Sequence, residues 1–242
     1  MTAPVGVSGA VFLLPVQVSL LGVPSPTVTP TNLLYNIVAT PGPLAQYARR
    51  GQLGGPLVRL MVTGTLPGVA VGAVVRVTLV PGGATFRLLL AVLLLPLGTW
   101  LLVGRPHRPG GARSVPASWK VVSLAFVVGV VGGVYGIGGG SILGPILVGV
   151  GLPVATVAPA ALAATFVTSI GGVATYAALA ISGAPAAAPD WALGLVLGLG
   201  GLVGGFVGAR LQPRLSETLL RRVLGGLAVA VGLSYAATAW LR

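Results

Sequence analysis

The sequence predicts an all-α, polytopic membrane protein with about nine transmembrane helices in two inverted-topology repeats, the first lacking its first helix. Three observations carry that expectation. The 242 residues are 55% hydrophobic and only 7% charged, with a mean hydropathy of +1.01, whereas soluble domains carry about 25% charged residues. The apolar residues fall into segments near the ~20 residues that cross a bilayer. A Gly/Pro pattern at the start of the chain returns after its middle. The spans must be helical, because lipid-facing backbone has to be satisfied within its own segment. The ~10-residue polar/apolar alternation of a membrane barrel is not seen.

The same composition excludes several function classes. The net charge of +12 does not indicate nucleic acid, because the Arg residues and Lys120 lie in short loops between apolar segments, as cytoplasmic loops do. There is no cysteine, and His107 is the one histidine. A thiolate, a disulfide or a metal site is therefore not expected, and neither is a cofactor. Asp190 and Glu217 are the two acids, too far apart in sequence to suggest an acid/base pair, so the chain does not read as an enzyme. Met1 to Gly22 lacks the basic start of a cleavable signal peptide.

The first segment, Val7 to Leu21, is short and interrupted by Pro15. The second, Val28 to Tyr47, carries a polar band of Thr31, Asn32, Tyr35, Asn36 and Thr40. Ser25-Pro26 and Thr29-Pro30 punctuate its start, and Arg49-Arg50-Gly51 ends it. The third is Leu57 to Val75 and the fourth Phe86 to Val103. Residues 104–118, GRPHRPGGARSVPAS, form an aqueous linker rich in Pro, Gly and Arg. Segment five is Trp119 to Tyr135, six is the short Ser141 to Val150, and seven is Val154 to Ile181 with Thr165, Thr168 and Ser169. Asp190-Trp191 opens the eighth, which runs to Ala209. The ninth is Leu219 to Leu241. Trp100, Trp119, Trp191 and Trp240 sit near segment ends, as interfacial anchors do.

The repeat is an ordered series. Gly6 pairs with Gly136, Gly9 with Gly139 and Pro15 with Pro145. After one gap, Gly22 pairs with Gly151, Pro24 with Pro153, Pro30 with Pro159, Gly42 with Gly171 and Tyr47 with Tyr176. After a second gap, Gly72-Ala73 pairs with Gly208-Ala209. The chain thus divides into a first repeat (1–103), a cytoplasmic linker (104–118) and a second repeat (119–242). Nine crossings with the linker inside put the N-terminus in the cytoplasm and the C-terminus outside. Eleven of the fourteen basic residues then lie in cytoplasmic loops, with Arg76, Arg87 and Arg242 outside. The Arg-rich cytoplasmic loops also suit anionic lipids.

The centre of the chain is Gly129 to Pro145, GVVGGVYGIGGGSILGP, with eight glycines in seventeen positions. Glycine weakens a helix interior, so the run has either a packing reason or a functional one, a broken helix facing a substrate. Gly136-Ile-Gly-Gly-Gly-Ser-Ile-Leu-Gly-Pro145, then Gly151-Leu-Pro153 and the small/polar run from Ala160 to Tyr176, resemble the TauE/SafE (TSUP) permeases, the sulfite-exporter-like membrane proteins. The first-half counterpart, GVSGAVFLLP, keeps Gly6, Gly9 and Pro15. The resemblance implies a duplicated helical bundle that transports small anions such as sulfite, sulfonates or other organosulfur compounds. The alternative class is a non-transporting membrane scaffold or assembly subunit.

An anion in such a bundle needs donors, and no charged side chain falls clearly mid-membrane. Helix N-termini supply about half a positive charge and free N–H groups, and broken helices are tolerated where they line a cavity. The expected substrate-binding residues are Ser8 and Gly9 at one motif, and Gly136, Gly138, Gly139, Gly140 and Ser141 at the other. Asn32, Asn36 and Thr40 share one face of the second segment, and Thr165, Thr168 and Ser169 answer from the seventh. Intramembrane Ser and Thr often only bond their own helix, whereas a buried unpaired amide costs about 2–7 kcal/mol. Gly200, Gly204 and Gly208 read instead as small-xxx-small packing.

Overall fold

A computed structural model describes residues 9–80, 82–103, 117–150, 152–211 and 217–240. Among these the regular structure is helical. In chain order the α-helices are α1 (Ala10–Pro15), α2 (Ser25–Ala39), α3 (Pro41–Arg49), α4 (Pro56–Thr78), α5 (Gly83–Val103), α6 (Ser118–Tyr135), α7 (Gly139–Gly149), α8 (Val154–Ile181), α9 (Trp191–Leu211) and α10 (Glu217–Trp240). A π-helical turn, Val16–Leu20, follows α1. Among the described residues, five helices are long and apolar enough to cross a membrane: α4, α5, α6, α8 and α9. With 11 residues, α7 reaches only about 16 Å.

Local chemistry sets most of the boundaries. Prolines start α2, α3 and α4, where a missing N–H costs nothing. Pro41 follows Thr40 and separates α2 from α3. Asp190 caps α9 by accepting the Leu193 amide at 2.9 Å, which neutralises one orphan donor of the first turn. Gly136 ends α6 in the left-handed conformation at φ 71°, as helix-terminating glycines do.

Small residues draw the helices together. Gly64, Gly68 and Gly72 of α4 lie against the backbone of Val122, Phe126 and Val130 on α6, while Gly129 and Gly133 of α6 lie against Thr65 and Val69. The two helices rise side by side in the same direction with backbones in contact. In the same way α2 runs parallel to α9, with Leu34 on Gly194 and Val38 on Gly198, and α3 continues along it with Leu202 on Gly42. Helix α4 also packs on α8 through Leu66 and Gly171, and α5 packs on α10 through Gly98 and Gly225. Gly200 and Gly204 behave differently from the packing expected of them. A Cβ on either would meet nothing within 4 Å, so neither touches another part of the chain at that distance.

Three apolar clusters hold the bundle. One joins Ala10, Val11 and Leu14 of α1 to Phe86, Leu90 and Leu94 of α5 and to Val134, Tyr135 and Ile137. A second joins α4, α6, α7 and α8 around Met61, Ala125, Leu143 and Ala161. The third sets Leu33 and Leu34 of α2 against Val173 and Tyr176 of α8. The first cluster therefore brings the N-terminal short helix onto the residues that break α6 from α7.

Candidate functional site

Three residues, Gly136 to Gly138, separate α6 from α7. Gly136 and Gly138 have φ of 71° and 73°, which L side chains rarely adopt. The Gly138 backbone is the N-cap of α7, and no side chain caps it. The first four amides of any helix lack an intrahelical partner, and Ser141 N donates to Gly138 O at 3.3 Å. The helix starts at Gly139 rather than Ser141, so Gly139 and Gly140 belong to its first turn.

The residues around this break come from both halves of the chain. Asn36 of α2 donates from Nδ2 to Gly136 O at 3.4 Å. Ser141 and Thr165 share a hydrogen bond of 3.2 Å between hydroxyls. A Cβ on Gly138 would lie 2.8 Å from Thr165 Cγ2 and 3.3 Å from Ser169 Oγ. A Cβ on Gly139 would lie 2.6 Å from Thr65 Cβ, and one on Gly140 2.6 Å from Thr165 Oγ1. Only glycines permit this approach. Ser169 Oγ is fully buried and has no hydrogen-bond partner. Thr165 and Ser169 lie near the middle of the 28-residue α8.

Other expected residues are placed differently. Thr40 Oγ1 donates to Asn36 O at 2.5 Å, and Thr168 Oγ1 donates to Ala164 O at 2.7 Å, so both bond within their own helices. Asn32 Nδ2 donates to Ala10 O at 3.2 Å and ties α2 to α1, while its Oδ1 is buried and unpartnered. A Cβ on Gly9 would lie 2.6 Å from the Tyr35 hydroxyl. Ser8 lies outside the described residues.

The sequence of this chain matches the profile described as sulfite exporter TauE/SafE over residues 1–235. The chain belongs to the TauE/SafE family. No curated protein and no solved structure matches it. This TauE/SafE protein is a multi-pass membrane transporter and not an enzyme.

Two buried polar groups lie outside the set expected from the sequence. Gln17, in the π-helical turn after α1, is fully buried with both side-chain amide atoms unpartnered. Arg76 was expected in an external loop, yet it lies within α4 and is fully buried. Its Nε donates to Thr29 Oγ1 at 3.2 Å, and that hydroxyl donates to Val134 O at 3.2 Å. The other guanidinium nitrogens reach Val80 O, Ser25 O and Ser25 Oγ. The Phe86 ring stacks 4.2 Å from the guanidinium carbon. The signal for Gln17 was its position in the apolar first segment. For Arg76 it was a segment end drawn at Val75, three residues short of the end of α4 at Thr78.

Proposed function

We propose that this chain carries a small sulfur oxyanion or sulfonate, sulfite being the reference substrate, through a neutral site at the break between α6 and α7. One observation carries the reading. The Ser169 hydroxyl is buried and unpartnered beside Gly138, at the N-terminus of α7. An unsatisfied buried hydroxyl costs about 1–3 kcal/mol, and an anion's oxygen would satisfy it. The helix N-terminus adds free amides and roughly half a positive charge, while Thr165, Ser141 and Asn36 complete the shell. The Gln17 amide, just after α1, and Asn32 Oδ1, whose Nδ2 donates to Ala10 O of α1, are likewise buried and unpartnered.

The inverted repeat is part of this proposal, and the packing supports it. Under the sequence repeat, α8 is the counterpart of α2, α9 of α4 and α10 of α5. The parallel pair α2–α9 then answers the parallel pair α8–α4, and α5–α10 pairs counterparts with each other. Among the described residues α6 has no counterpart in the first half. The unwound residues 136–138 lengthen the 16 Å of α7 by at most about 10 Å, against a hydrocarbon core of about 30 Å. A cavity of about 630 Å³ opens between the starts of α4, α6 and α8, lined by Gln52, Leu57, Leu60, Ser118, Thr156 and Ala160. We assign that end to the cytoplasm, the N-terminus with it, and the C-terminus to the outside, because Arg49 and Arg50 precede Gln52 and Lys120 follows Ser118 there.

The test is flux and binding by purified protein. Proteoliposomes should take up sulfite, and sulfite at 100 times its Kd should stabilise the protein by about 2.7 kcal/mol. Absence of both flux and stabilisation for sulfite and for a sulfonate would leave the scaffold reading standing in its place.

A further inference from the structure

We propose that Arg76 is an anion-coordinating and specificity-determining residue at the far end of the path from the cavity, where it binds two oxygens of the permeating oxyanion. This inference rests on the transporter reading above and names a residue that the neutral site does not include. Three observations carry it.

The first is the charge. Arg76 is fully buried, and no carboxylate lies within ion-pair distance of it among the described residues. Of the two acids in the chain, Asp190 is engaged as the α9 cap. Every hydrogen-bond partner of the guanidinium is neutral: the Thr29 hydroxyl, the Ser25 hydroxyl and carbonyl, and the Val80 carbonyl. A buried ion needs an opposite charge or several hydrogen bonds to offset its lost hydration, and ionisable groups at membrane depth mark substrate paths by default. The ends of α4 and α6, with their carbonyl dipoles, compensate part of the charge. A formal negative charge would compensate all of it.

The second is position. Thr29 links Arg76 directly to Val134 O on the last turn of α6, and the backbone of Thr29 lies against Gly136. Tyr176 Oη donates to Gly133 O at 2.9 Å on the same turn. The guanidinium thus adjoins the break, on the side away from the cavity at Ser118 and Thr156. An anion leaving the break in that direction meets Arg76 next.

The third is geometry. Arg presents a planar fork that matches two oxygens on one centre, which a lysine ammonium cannot do. The Ser25 and Val80 acceptors sit at the start of α2 and just beyond α4. Separating those two ends would release the fork without disturbing the helices. The class of ligand selected is an oxyanion with at least two oxygens on one atom, over a halide.

The experiment uses the full-length protein in proteoliposomes, with sulfite and chloride as probes and melting in detergent as the folding control. Arg76→Lys keeps the charge and loses the fork. It should raise the sulfite KM about tenfold and lower sulfite-over-chloride selectivity by a similar factor. Ser25→Ala removes a competing acceptor and should lower the sulfite KM about threefold. An unchanged KM and selectivity in Arg76→Lys, or a fall in kcat alone, would mean that Arg76 only ties α2 to α4, and the inference fails. If Arg76→Lys does not fold, Ser25→Ala decides, and an unchanged KM there has the same meaning. Wild-type protein without sulfite flux overturns the transporter reading itself and this inference with it.

Discussion

Ser169 and Gly138 separate two kinds of cost at the site. Ser169 brings a hydroxyl that the fold leaves unpaired, so its removal should relieve the protein rather than weaken it. Ser169→Ala is expected to melt at or slightly above the wild-type temperature while the sulfite KM rises about tenfold, as befits the loss of one hydrogen bond to a charged ligand. Thr175→Val on the same helix, whose hydroxyl donates to Gly171 O at 2.8 Å, should move neither quantity beyond error. Loss of stability in Ser169→Ala would mean that the hydroxyl has a partner in the membrane, and its assignment to the substrate would fail. Gly138 is the opposite case. Its φ of 73° and the nearness of Thr165 Cγ2 oppose any side chain. Gly138→Ala should destabilise by about 1–3 kcal/mol and lose flux together with stability. Thermal melting and flux on the same preparation check both outcomes.

At the scale of the element, two glycine stripes that look alike in the sequence have different surroundings. Gly64, Gly68 and Gly72 on α4 touch the α6 backbone, whereas Gly200 and Gly204 on α9 touch nothing within 4 Å. Gly68→Ala therefore forces the helices apart and should lower melting by several degrees. Gly204→Ala should be neutral or stabilise by up to about 1 kcal/mol, since alanine is the better helix former. Destabilisation by Gly204→Ala would show that this face of α9 is covered in the membrane. The same comparison marks how far the sequence could be read. Apart from the joined α2 and α3, hydropathy placed the helices within a few residues of their ends, including the short α7 and the interruption after α1. Pro30, Pro67, Pro96 and Pro159 lie inside helices without splitting them. Pro41 instead coincides with the break between α2 and α3, inside a stretch that hydropathy joined into one segment. Which glycine stripe meets another helix depends on partners far away in sequence, and periodicity carries no trace of them.

On the scale of the whole molecule, the site was legible where the glycines and hydroxyls are dense and illegible where one charge decides. The break at Gly136 to Gly138 and its neighbours Asn36, Thr165 and Ser169 were visible as a motif and two polar bands. Arg76 was counted with the loop charges because its burial comes from Ser25, Thr29 and Phe86, which only the assembled bundle brings to it. That matters for topology, since an arginine held inside the bundle reports less about sidedness than one in a loop. With Arg76 set aside the charge bias still supports the proposed cytoplasmic side for the Gln52 and Ser118 end, because Arg49, Arg50 and Arg59 flank one loop and Lys120 adjoins the linker. The chain contains no cysteine, so single-cysteine variants report without background. Gln52, Ser118, Gly82 and Ser182 are all exposed. A membrane-impermeant maleimide on intact cells should label Gly82→Cys and Ser182→Cys. It should reach Gln52→Cys and Ser118→Cys only after permeabilisation. Labelling of Gly82→Cys with protection of Ser182→Cys would mean an odd number of crossings from α5 to α8 and remove the proposed inverted relation of the halves. The reverse pattern at all four positions would keep the inverted repeat and turn it over in the membrane, moving Arg76 to the cytoplasmic mouth and the cavity at Ser118 to the external one.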